Sequence, residues 1–177
     1  YSIDFRAPER LAQLIVQVSG RAGREEKKGQ VVLQTSHPED DLLNTLLNKG
    51  YSGFAAKALA ERKEISLPPY TYQALIRAEG NKIEYYQSFL NYCLQAMNAA
   101  AQHLPRQHDV QFLGPVAAPM EKKAGKFRGQ LLIQSGARKN LHNILNNLVK
   151  TIEADKVAKT TLQRVRWSID IDPQELY

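Results

Sequence analysis

Apolar and polar positions change period several times along the chain, and each change marks an expected element. After Pro8, which suits the first turn of a helix, Leu11, Leu14, Ile15 and Val18 recur at helical spacing. Residues 8–19 are therefore expected to form an amphipathic helix stopped by Gly20 and Gly23. A charged turn from Glu25 to Gly29 leads into Val31-Val32-Leu33-Gln34-Thr35, short and β-branched like a buried strand. Pro38 and Asp41 open a second helix with Leu42, Leu43, Leu46 and Leu47 on one side, and Gly50 closes it where a left-handed C-cap is favoured. A third helix is expected from about Ser52 to Arg62.

Pro68-Pro69 forbids helix continuation and fixes an extended connector, which puts a joint near residue 66. Beyond it Tyr72, Ala74, Ile76 and Ala78 alternate as a strand, and the stretch Lys82 to Leu104 carries Tyr86, Phe89, Leu90, Cys93, Leu94 and Met97 at helical period. Val110, Phe112, Gly114 and Val116 alternate again, a loop rich in Pro, Gly and Lys follows, and Phe127, Gly129, Leu131 and Ile133 form the next run. This predicts a hairpin with a basic tip. Leu141, Ile144, Leu145, Leu148, Val149 and Ile152 mark another helix. In the last strand Val165, Trp167, Ile169 and Ile171 alternate with Arg164, Arg166, Ser168 and Asp170, so Trp167 is expected in core packing rather than in base stacking. The order β-α-β-β-α-β is the split-βαβ, ferredoxin-like pattern of an α+β domain. The preceding helix and parallel-type strand suggest the end of an α/β unit.

The chain has 177 residues, 43% of them apolar, enough for a real core in one medium domain or in a domain fragment joined to a smaller one. Lys and Arg number 24 against 18 Asp and Glu, a net charge of +6, and the pI near 9.4 is compatible with a polyanionic partner such as nucleic acid. The lone Cys93 forms no internal disulfide, and His37, His103, His108 and His142 show no metal-ligand spacing. No zinc site is expected in this chain, and the compartment reads as reducing, hence cytoplasmic. Absence of a continuous apolar run of about 18 residues predicts no membrane span. The opening Tyr1-Ser2-Ile3-Asp4-Phe5-Arg6 lacks the pattern of a signal peptide, and a start in mid-pattern without Met suggests a piece of a longer protein.

Gln17-Val18-Ser19-Gly20-Arg21-Ala22-Gly23-Arg24 is the most informative octamer. It sets two guanidinium groups three residues apart, beside glycines, at the end of an amphipathic helix. Arginine stays charged and offers a planar fork of donors to phosphate oxygens, and glycine lets the backbone come close. A helix-end cluster of basic residues that binds nothing in particular is the plainer reading.

This octamer resembles motif VI, Q-x-x-G-R-x-G-R, of superfamily 2 helicases, matching every defined position. Asp4-Phe5-Arg6-Ala7-Pro8-Glu9-Arg10, Gln34-Thr35 with His37-Pro38, Leu67-Pro68-Pro69-Tyr70, Leu113-Gly114-Pro115-Val116-Ala117-Ala118-Pro119, Val165-Arg166-Trp167 and Asp170-Ile171-Asp172-Pro173 narrow it further. Together, and in this order, they resemble the primosomal protein N′ (PriA) family of replication-restart DNA helicases, over nearly the whole chain. The resemblance implies an ATP-dependent 3′-to-5′ DNA helicase that recognises stalled or branched forks and assembles the primosome. It implies residues 1–37 as the end of a second RecA-like lobe, 38–66 as a helical connector and 67–177 as a C-terminal accessory domain. Arg21 and Arg24 would be arginine fingers toward the nucleotide, with Gln17 coupling nucleotide state to lobe closure. ATP and magnesium would belong to the parent protein, since no G-x-x-x-x-G-K-[ST] occurs here, and the family's zinc would also lie outside this stretch.

The resemblance further implies contacts with branched and single-stranded DNA, with the acidic C-terminal tail of single-stranded DNA-binding protein and with other primosome proteins. Lys122, Lys123, Lys126 and Arg128 crowd the expected hairpin, relieved by Glu121, and a lysine-rich tip can follow a phosphate backbone without reading bases. A solvated loop kept soluble by its charge is the competing reading. Arg138 and Lys139, at the start of the penultimate helix, match in position a basic residue that the family uses to hold the tail; a solvent-satisfied surface arginine is the alternative. Two further readings of the βαββαβ domain are an RNA-recognition module, whose aromatic signature is broken around Lys126 and Phe127, and a structural brace that binds no ligand.

Overall fold

A computed structural model describes residues 4–22, 30–104, 110–155 and 163–176. The chain divides into two compact units, Tyr1–Ile65 and Ser66–Tyr177.

The first unit is helical. α1 (Ala7–Ala22) and α2 (Asp41–Glu64) pack through Ala12, Leu46 and Phe54, with Ile15, Leu42 and Ala58 at the rim. Asp40 caps α2, its side chain accepting from the Leu43 amide at 2.7 Å, so the start expected at Pro38 and Asp41 has a physical basis. The two expected helices there are one element with a kink at Gly50, whose φ of 69° is left-handed and suits a residue without a Cβ. Two expectations fail. Gly20 does not stop α1, which runs on to Ala22, because a single helical glycine costs only about 1 kcal/mol relative to alanine. Val31 to Thr35 form no strand, and Val32 is 83% exposed. β-branched residues fit a pleated surface only when a neighbouring strand supplies hydrogen bonds, and among the described residues none lies beside them.

The second unit is α+β: β1 (Tyr72–Gly80), α3 (Ile83–Ala101), β2 (Val110–Lys123), β3 (Lys126–Ser135), α4 (Arg138–Ala154) and β4 (Val165–Ile171). Its four strands form one antiparallel sheet in the order β2-β3-β1-β4. α3 and α4 cover one face, where Ala74, Ile76, Leu131 and Ile133 meet Tyr86, Phe89, Leu90, Cys93, Met97, Leu141, Ile144 and Leu148. Alternation in β1, β3 and β4 therefore sends every second residue to this core and its neighbours to the opposite face, which is open around Glu79, Arg128 and Arg166 and closed around the buried Gln73 and Leu75. Trp167 packs on the core side, 5.6 Å from the Phe89 ring centroid, as its alternation predicts.

The Pro, Gly and Lys-rich stretch expected to be a loop is strand. β2 continues to Lys123 and turns into β3 through Ala124 and Gly125, both with positive φ (49° and 78°), the signature of a two-residue hairpin turn. Pro115 and Pro119 are tolerated because β2 is an edge strand and its register shifts twice, between Leu113 and Val116 and between Ala117 and Lys122.

Candidate nucleic-acid interface

The β2–β3 hairpin fixes where its cations stand. Lys123 faces Lys126 across the turn, and Lys122 faces Phe127, its ammonium 5.0 Å from the ring centroid. Opposed residues of an antiparallel pair share a face, so Lys122 stands on the helix side with Phe127, whereas Lys123 and Lys126 stand on the open side. Arg128, two residues on from Lys126, is on that open side too.

β1 brings a carboxylate into this group. Glu79 pairs in register with Arg128 of β3 and with Arg166 of β4, so three strands present Arg128, Glu79 and Arg166 in one row. Lys126 Nζ lies 3.6 Å and Arg166 Nη1 3.9 Å from Glu79 Oε1. In the next row Arg77 sits between Gln130 and Ser168. Arg77 is committed elsewhere: its guanidinium donates to Asp170 Oδ2 and to the Glu175 carbonyl, both at 2.7 Å. Gln130 donates to the Leu176 carbonyl at 3.1 Å, and the Asp172 amide to the Gln73 carbonyl at 2.9 Å, so the last residues lie strapped across the open face.

The described strand aromatics lie on the other face. Tyr72, Phe112, Phe127 and Trp167, on four different strands, all pack against the core cluster. Base stacking on these four rings would require them to leave the core.

Arg138 and Lys139 are exposed in the first turn of α4, after Ala137, which gives no side-chain cap. They lie far from the hairpin. β3 begins at Lys126 beside Lys123 and ends at Ser135 beside Tyr72 and Val110, so the two basic groups stand at opposite ends of a ten-residue strand, roughly 30 Å apart along it.

In the first unit Gln17 and Arg21 are exposed on α1 and, four residues apart, share a side of the helix. Gly23 and Arg24 lie outside the described residues. The residues that lead into α1 form a knot of their own. Asp4, 3% exposed, accepts from the Arg6 amide and pairs with Arg10. The Phe5 ring lies 4.5 Å from the Arg6 guanidinium carbon and 5.0 Å from that of Arg62, and Arg62 bonds Glu9 at 2.8 Å, tying α1 to α2. Burial, the largest influence, lowers the Arg6 pKa. Spacing within Asp4 to Arg10 hints at the local part of this knot; Arg62, more than fifty residues away, gives no such signal.

No group of three or more His, Cys, Asp or Glu that could hold a metal occurs among the described residues, and no described helix is long and apolar enough to cross a membrane.

Residues 63–174 match the family model described as primosomal protein N C-terminal domain. Replication restart protein PriA of Haemophilus influenzae is 42% identical over 176 residues, covering 99% of this chain and 23% of that protein. PriA of Bacillus subtilis is 32% identical over 173 residues, 96% of this chain and 20% of its own length. PriA of Synechocystis is 31% identical over 172 residues, 96% of this chain and 19% of its own length. The chain thus spans about a fifth of the curated relatives it matches.

Proposed function

The chain belongs to the primosomal protein N C-terminal domain family, and from that premise we propose that it is the C-terminal part of an ATP-dependent 3′-to-5′ DNA helicase that restarts stalled replication. In this reading residues 1–37 end a RecA-like lobe, 38–66 connect, and 67–177 form a split-βαβ, ferredoxin-like accessory domain. Two features support the division. Leu11, Leu14, Val16 and Val18 are exposed on α1, as expected where the rest of a lobe would pack, and β3 lies between β1 and β2 in the sheet.

The observation that carries DNA contact is the hairpin. Three lysines stand within five residues around a two-residue turn at the end of a long two-stranded arm, where a phosphate backbone can be followed without reading sequence. Replacing Lys122, Lys123 and Lys126 with alanine should weaken binding of this chain to a forked DNA and flatten its salt dependence, by about 0.9 in slope for each phosphate no longer neutralised. Unchanged affinity and slope would return the hairpin to a solvated surface feature.

Arg138 and Lys139 are proposed to hold the acidic tail of single-stranded DNA-binding protein, because the amides of α4's first turn and two cations there favour a carboxylate. Arg21 and Arg24 are proposed as arginine fingers of the parent ATPase, with Gln17 as the coupling residue. ATP, magnesium and zinc belong to the parent protein outside this chain.

A further inference from the structure

The hairpin lysines stand at the beginning of a longer line of positive charge. Two shallow hollows lie side by side on the second unit and share Glu79 and Arg166. One, of about 400 Å³, lies on the open face around Arg128, Gln130, Arg166 and Ser168. The other, of about 620 Å³, lies at the sheet end around Lys126, Arg164 and Arg166. Arg164 reaches over Tyr85, 5.4 Å from its ring centroid, and Arg166 is 83% exposed in its side chain. Lys126 and Arg128 on the hairpin and Arg166 and Arg164 on the β4 side thus flank one carboxylate, Glu79. Strands lie about 4.8 Å apart, so the row from β3 to β4 spans roughly 10 Å, room for about two successive phosphates of one nucleic-acid strand.

We propose that Lys126, Arg128, Arg164 and Arg166 form a phosphodiester track that continues from the hairpin across the sheet end, so that the β4 arginines bind DNA together with the lysine tip. This rests on the reading of the hairpin as a DNA contact and extends it to residues on a different strand. Four cations grouped around one carboxylate suit a polyanion with regularly spaced charges. Glu79 keeps Lys126 and Arg166 apart and within reach in the unbound protein; a phosphate replaces it as their shared partner.

The test is the salt dependence of binding of the 177-residue chain to a forked DNA, measured by fluorescence anisotropy for wild type, Arg164→Ala/Arg166→Ala, and Lys150→Ala on exposed α4 as control. The double variant should bind roughly tenfold more weakly, with a slope reduced by about 1.8, the share of two phosphates, and the control should match wild type. Wild-type affinity and slope in the double variant overturn the track. Measuring the lysine variant of the hairpin alongside separates the two ideas. With the hairpin variant limited to Lys122→Ala/Lys123→Ala, which spares Lys126 of the track, a weaker arginine variant beside an unaffected hairpin variant keeps the track and removes the contact at the tip, whereas the reverse overturns the track and keeps the hairpin. A fluorescent poly-glutamate peptide is the last arm. If the arginine variant no longer binds that peptide and still binds the fork, the surface serves an acidic protein and the track is overturned.

Discussion

Gly129 lies directly beneath the ring of Tyr86: a Cβ added there would run into the ring edge and stand 3.1 Å from Leu90 Cδ1. α3 approaches the middle of the sheet this closely only because β3 carries no side chain at that position, between Arg128 and Gln130 of the proposed interface. Gly129→Ala is expected to destabilise the second unit by about 1–3 kcal/mol, the usual cost of overpacking. Chemical denaturation followed by tryptophan fluorescence from Trp167 checks this, and an unshifted midpoint would count against it.

Arg77 anchors the chain's last residues through the Glu175 carbonyl and Asp170, and Pro173 is buried. Arg77→Ala should lower stability by about 1–2 kcal/mol, reflecting two hydrogen bonds that involve a charged group. Fork affinity should change far less than in the Arg164 and Arg166 variant, because Arg77 is already occupied. Comparing both readouts on the same preparation distinguishes an anchoring residue from a binding one.

Arg62 is only 14% exposed in its side chain and meets both Glu9 and the face of Phe5. Truncating it to alanine removes the ion pair and the packing together. Hydrogen exchange should then rise across α1 and the α2 segment beside it, while β1 and β3 keep wild-type protection. Unaltered exchange in α1 would show that Arg62 does not hold the two helices.

Burial pushes the Cys93 thiol from an ordinary 9.0 up to about 12. The folded protein therefore keeps the neutral thiol where an unfolded chain would ionise. The stability linked to this group is complete below pH 9.0 and is lost as pH rises toward about 12. Burial also raises Tyr86 and Tyr92 above their ordinary values, so the alkaline loss should be reduced but not abolished in Cys93→Ala. Thiol reagents should label Cys93 slowly in the native protein and rapidly in denaturant; fast native labelling would be inconsistent with its burial.

The sequence reveals what local period encodes and conceals what depends on distant partners. Alternation places Tyr72 to Ala78, Phe127 to Ile133 and Val165 to Ile171 on strands, and the apolar stripes of α3 and α4 are equally plain, because each signal lies within one element. Val31 to Thr35 reads as a strand on the same grounds and is not one, since a strand also needs a neighbour. The end of β2 reads as loop because Pro115, Pro119 and two register shifts break its alternation. Lysines at the hairpin are visible in the sequence alone. Their junction with Glu79, Arg164 and Arg166 is not, because it depends on β1 lying between β3 and β4.

Whether the second unit reads the structure of DNA comes down to fork selectivity, measured by anisotropy of the 177-residue chain with a branched fork and with plain duplex of equal length across a salt series. A DNA-binding hairpin and track predict tighter binding to the fork, and a steep decline of affinity with salt from a phosphate-dominated footprint. Absent binding to both DNAs would contradict them and leave the second unit as a brace for the rest of the parent protein.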